Sequence, residues 1–156
     1  DRSLTLAKPL TCNELESYIE TLFPSKNIFY AVKIEGSFDH IKTRSVPRQK
    51  KPFPPLTEVV KHQSYFELDK ANGTMAGFWF PAYMKDINAA GFHLHFITDD
   101  RQAGGHVLDC TVSSVKIEID YSRDLDLSLP ETSGFYNADL TEPSGSDVSS
   151  VEKGKK

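Results

Sequence analysis

Gly91-Phe92-His93-Leu94-His95-Phe96-Ile97-Thr98-Asp99-Asp100-Arg101-Gln102-Ala103-Gly104-Gly105-His106-Val107-Leu108-Asp109 reads as a strand, a polar hairpin connection and a returning strand, and this reading decides the fold. Successive side chains of a strand alternate faces, so Phe92, Leu94 and Phe96 point to one side while His93 and His95 point to the other. Asp99 and Asp100 are turn formers, and the Gly104-Gly105 pair ends the connection. His106 then opens the returning strand opposite the first two histidines.

Three imidazoles on adjacent strands make the neutral-nitrogen ligand set of a zinc site that keeps further positions open for water or substrate. A His-x-His pair alone is weak, because it occurs by chance; the third histidine on a facing strand carries the metal reading. Cys110 lies an even number of residues from His106, which leaves it open as a fourth ligand of a closed structural site. Arg44 ends a run in which His40, Lys42 and Arg44 alternate with Ile41 and Thr43. Spacing alone favours a solvated surface cation there; turned toward the metal, its planar fork would hold a carboxylate bidentately. His40 and His62 have no partner pattern and read as structural.

Outward from the hairpin, Thr11-Cys12-Asn13-Glu14 has the form of a capping box, and Leu15, Ile19, Leu22 and Phe23 follow at helical spacing up to Pro24. One helix over residues 12 to 23 is expected. Strands are expected over 28 to 38, 41 to 46, 64 to 67, 73 to 80, 91 to 98, 106 to 119 and 125 to 129, within a β region spanning 28 to 130. Gly36 suggests a bulge or a close approach. Four prolines in residues 47 to 55 imply an extended crossing between strands. The fold class is α+β: a mostly antiparallel, barrel-like sheet with one N-terminal helix and the metal site on adjacent strands. The tail, 141 to 156, has no aromatic residue and reads as disordered on composition.

The chain has 156 residues, 38% hydrophobic and 26% charged, enough for a domain with a real core. No apolar run reaches the ~20 residues that span a bilayer. A net charge of −4 argues against a nucleic-acid partner, which needs a basic surface. Two cysteines, Cys12 and Cys110, read as reduced thiols of a cytoplasmic protein.

Further stretches carry a resemblance: Asn27 to Gly36 (NIFYAVKIEG), Lys42 to Pro47 (KTRSVP), Gly77-Phe78-Trp79 and Phe135 to Leu140 (FYNADL). With the histidine segment, in this order and spacing over roughly residues 8 to 140, the chain resembles the bacterial and fungal α-acetolactate decarboxylases. The resemblance implies zinc on His93, His95 and His106, Arg44 facing the substrate, and a glutamate near the C-terminus, at Glu152, completing the metal shell and acting as general acid. An ordered Glu152 would reverse the composition reading of the tail. The implied substrate is a small 2-hydroxy-3-oxo acid, 2-acetolactate, and the products are acetoin and carbon dioxide; a homodimer is expected, since a sheet without its upstream strands leaves an unpaired edge and an exposed apolar face that invite association. Family members also carry an N-terminal sheet segment, with another catalytic glutamate, ahead of the position of Asp1. The chain is therefore expected to be the C-terminal portion of such a protein, with little activity alone. Two other uses of the same histidines stay open: a non-catalytic cupin-like metal- or ligand-binding β domain, and a zinc hydrolase.

Overall fold

The computed structural model describes residues 2–85 and 87–139. Two short strands, β1 (Arg2–Leu6) and β2 (Leu10–Thr11), lead into helix α1 (Cys12–Thr21). The long strands β3 (Phe29–Ser45), β4 (Ser64–Phe80), β5 (Gly91–Thr98) and β6 (Gly104–Ser122) then build one antiparallel sheet in the order β1-β6-β3-β4-β5, with β2 also on β6. β5 pairs with β6 as well, from His95 opposite His106 to Ile97 opposite Gly104. The sheet therefore curls back on itself at the hairpin end, which is as far as the barrel-like expectation goes.

α1 starts where the sequence says it should. The Thr11 side chain accepts the Glu14 backbone N–H, and the Glu14 carboxylate accepts the Thr11 N–H at 2.9 Å. These bonds hold the Glu14 carboxyl below its usual pKa, the backbone bond contributing most. The helix ends at Thr21, ahead of Pro24, and buries Leu15 and Ile19 on the sheet. There they meet Ile34, Met75, Ile117 and Phe96, all on the α1 side of the strands. Each such side chain taken fully out of water contributes about 1.5–3 kcal/mol. Phe23 stacks on Tyr30 at 3.8 Å, and the Trp79 indole N–H donates to Glu20.

Several expectations are corrected. The strands expected at 28–38 and 41–46 form one strand, β3, which bends at register shifts around Phe38 and His40 instead of breaking. Likewise 64–67 and 73–80 are one strand, β4, distorted at Lys70, whose φ is +53°. Gly36 does mark a close approach: its φ is +143°, and a Cβ there would lie 2.3 Å from the Ser114 carbonyl oxygen. The Leu-rich alternation at 125–129 forms no strand, and Leu125, Leu127 and Leu129 are exposed, so the alternation there does not mark a buried face. The proline segment has no helix or strand through Pro55, and the short helices α2 (Leu56–Val59) and α3 (Ser133–Tyr136) were not expected. Cys12 and Cys110 are not reduced thiols: they form a disulfide, Cα–Cα 4.9 Å, tying the first turn of α1 to β6. Among the described residues no helix is long and apolar enough to cross a membrane. Glu152 and the tail 141 to 156 lie outside the described residues.

Candidate metal centre

Register brings the three histidines together. His95 is the direct partner of His106 across β5 and β6, and His93 stands two residues along β5, opposite Phe78 of β4. Cross-strand partners share a face, so all three rings rise from the side of the sheet away from α1 while Leu94 and Phe96 enter the core. The His93 and His95 rings lie nearly parallel, centroids 5.4 Å apart, and His106 presents its ring almost perpendicular to both, at 5.0 and 5.2 Å. One nitrogen from each ring lies within 4.8 Å of the others.

The hairpin is built to hold this arrangement. The Thr98 N–H donates to Ala103 O at 2.9 Å, and Arg101, at φ +59°, closes the turn by donating its N–H to Thr98 O at 2.8 Å. Asp100 accepts from the Thr98 hydroxyl at 2.6 Å and from the Gln102 N–H at 3.0 Å. The side-chain bond from Thr98 is the main cause that lowers the Asp100 pKa, followed by the backbone bond from Gln102. The Asp100 side chain thus shapes the turn, as its residue type suggests, while Asp99 joins through its backbone N–H, donated to Asn72 O at 3.1 Å. Gly105 takes φ +150°, and a Cβ on it would sit 2.6 Å from the Arg44 carbonyl oxygen; only glycine lets β6 run this close to β3.

Cys110 is excluded as a fourth ligand. Between Lys42 and Thr43 the pairing jumps from Asp109 to Val107, so Leu108 is an extra residue on β6. A bulge of this kind reverses the alternation, and His106 and Cys110, four apart, land on opposite faces. Cys110 pairs with Ile41 toward the core and bonds to α1.

Arg44 is not a surface cation. It is 6% exposed and pairs directly with His106 on one side and with Tyr65 of β4 on the other. His106, Arg44 and Tyr65 therefore form one row on the histidine face. The Arg44 Nη1 donates to Gln63 Oε1 at 2.9 Å, and Gln63 Nε2 donates to the Tyr65 hydroxyl at 2.6 Å. Neither Gln63 nor Tyr65 was singled out from sequence; the one available signal was their i, i+2 spacing beside a strand. His40, by contrast, bonds Asp69 at 2.8 Å, as a structural histidine.

The ligand set fits a small tetrahedral cation. Nitrogens bound at ~2.0–2.1 Å around a tetrahedral centre are spaced by about 3.3 Å, and His93 Nε2 lies 3.3 Å from His95 Nε2. Among the described residues the group contains three histidines and no carboxylate or thiol, and it stands beside the buried Arg44.

Residues 1–142 match the family described as alpha-acetolactate decarboxylase. The chain is 43% identical over 153 residues to the alpha-acetolactate decarboxylase of Methanosarcina mazei, covering 98% of this chain and 53% of that protein. It is 43% identical over 152 residues to that of Brevibacillus brevis, with 97% and 53% covered. The crystal structure of alpha-acetolactate decarboxylase from Bacillus subtilis strain 168 superposes with a TM-score of 0.92 at 37% identity, covering 98% of this chain and 65% of that one. The chain thus spans about half the length of the curated relatives it matches.

Proposed function

The chain belongs to the alpha-acetolactate decarboxylase family, and on that premise we propose that His93, His95 and His106 hold zinc and that the site decarboxylates 2-acetolactate to acetoin and carbon dioxide. The observation that carries this reading is the pairing of His106 with Arg44 on one sheet face. It sets a cation-binding group beside a fixed, buried guanidinium, the two things a 2-hydroxy-3-oxo acid offers ligands to.

Arg44 would receive the substrate carboxylate, its planar fork matching both oxygens. With the carboxylate held there, the carbon–carbon bond to it breaks, its electron pair passes into the adjacent ketone, and a proton delivered to carbon completes acetoin. When bound, zinc supplies a Lewis acid for the oxygen that gains charge, a contribution of several kcal/mol. No organic cofactor is required, because the substrate's own ketone is the electron sink. Burial of Arg44 strengthens its hold on the departing carboxylate by keeping water from competing. Glu152 is retained as the proposed general acid on the strength of the family resemblance.

The partner of this site is a small 2-hydroxy-3-oxo acid, and a homodimer is retained as the proposed assembly, to be read by sedimentation. The expectation of a cytoplasmic location rested on reduced thiols, and the disulfide removes that support.

The test is acetoin and carbon dioxide release from 2-acetolactate by the zinc-loaded chain, alone and with the N-terminal half of the Methanosarcina mazei relative joined ahead of it. Acetoin that disappears on chelation and in His95→Ala supports the reading, and the extended protein is expected to be the faster. A zinc-loaded extended protein that makes no acetoin overturns it in favour of a ligand-binding domain.

A further inference from the structure

Arginine on a flexible stem recognises a carboxylate well only when something holds its fork in place, and the described residues contain a device for this. Gln63 sits at the join between the 3-10 turn Val60–His62 and β4, where its backbone N–H donates to Val60 O at 3.3 Å and its extended conformation (φ −69°, ψ 149°) turns the chain into the strand. Its backbone is thereby fixed. Two residues on, Tyr65 is the direct cross-strand partner of Arg44, so Gln63 and Tyr65 lie on the side of the sheet that carries Arg44 and His106.

The amide of Gln63 has both of its ends engaged: Oε1 accepts from Arg44 Nη1 at 2.9 Å, and Nε2 donates to the Tyr65 hydroxyl at 2.6 Å. This polarity matters. A guanidinium only donates, so it selects the amide flip that turns Oε1 toward it, and the Tyr65 hydroxyl, which can donate or accept, takes up Nε2 and anchors the far end of the amide. Tyr65 is itself held from its other flank, where Lys42 Nζ lies 5.8 Å from the ring centroid and pairs with Glu67.

We propose that Gln63, oriented by Tyr65, is a positioning residue that holds the Arg44 guanidinium in the carboxylate-receiving orientation beside the histidine cluster. The proposal rests on the reading of Arg44 as the carboxylate anchor. Gln63 does not bind the metal and makes no claim on the substrate; it acts through Arg44 by removing the freedom that carboxylate binding would otherwise have to freeze.

The experiment is a double-mutant cycle on the zinc-loaded chain, with racemic lactate as the carboxylate probe and binding followed by calorimetry, and with zinc affinity measured separately by chelator competition. Q63A is expected to weaken lactate about tenfold and Y65F about threefold, with zinc affinity in both within about twofold of wild type. In the R44K background, Q63A should cost little more, because the group it positions is already gone. In the metal-free chain, the Arg44 side-chain N–H signals should exchange with water faster in Q63A than in wild type, which reads the orientation without metal or reaction. Full additivity of Q63A with R44K, unchanged lactate binding in Q63A, or no lactate binding by wild type would overturn the proposal. Failure of the proposed reaction is visible separately, as a non-additive lactate cycle in a protein that yields no acetoin.

Discussion

Arg44 and His106 are direct antiparallel partners on β3 and β6, so the buried guanidinium and the third imidazole of the cluster rise from the same sheet face. Two strand partners on one face have Cβ atoms about 4.5–5.5 Å apart. The histidine cluster and the Arg44 side chain therefore start from neighbouring points of one face, where a small carboxylate-bearing molecule can meet both.

Arg44→Lys should leave zinc stoichiometry intact and weaken carboxylate binding and turnover by about ten- to a hundredfold, the worth of a charge-assisted bidentate bond that a point charge does not reproduce. Calorimetry and steady-state kinetics on the extended protein check it. Unchanged kinetics would return Arg44 to a packing role.

Gly105→Ala should destabilise the fold and the site together. The added Cβ would meet backbone, the Arg44 carbonyl oxygen at 2.6 Å, at a φ of +150°. The strain is about 1–3 kcal/mol, which for a domain of this size lowers the melting temperature by several degrees. Zinc affinity should fall with it, since Gly105 precedes His106. Gly134→Ala is the control: nothing lies within 4 Å of its added Cβ.

How much of this was legible in the sequence follows from periodicity. Strand β5 was readable to the residue from Gly91 to Thr98 because its alternation is uninterrupted, and the capping box located α1. What alternation cannot carry is a change of parity. The extra residue at Leu108 reversed the faces of His106 and Cys110, so the open alternative of a cysteine ligand was settled only by register. The bends near His40 and Lys70 made two long strands look like four short ones for the same reason. Gln63 and Tyr65 lay beyond reach, because a Gln-x-Tyr spacing means nothing until Arg44 is known to stand beside it.

Cys110→Ser should keep one zinc per chain, because Cys110 faces α1 and not the histidines, and should lower stability by about 2–4 kcal/mol through loss of a disulfide closing a long loop. Denaturant unfolding with and without reductant, beside metal analysis, checks both halves. Loss of zinc at unchanged stability would reinstate the cysteine as a ligand.

Acid should loosen the turn between β5 and β6 before it unfolds the sheet. The Asp100 pKa is lowered in the folded chain, first by the Thr98 hydroxyl and then by the Gln102 N–H. A carboxylate with a depressed native pKa contributes stability that is complete above its unfolded value of ~3.9 and is lost as pH falls through the native one. The protection of the Gln102 amide, its hydrogen exchange taken relative to an unstructured amide at the same pH and followed downward from pH 5, should fall below about pH 4. In Asp100→Asn exchange should be faster throughout and lack that step.

The central claim is that three imidazoles from β5 and β6 hold one zinc ion, and X-ray absorption at the zinc edge of the metal-loaded chain tests it most directly. The expected result is one equivalent of zinc per chain with about three imidazole nitrogens at ~2.0–2.1 Å, falling to weak, non-stoichiometric binding in His95→Ala and in His106→Ala. A first shell containing sulfur, or a stoichiometric zinc site that survives both substitutions, would contradict it.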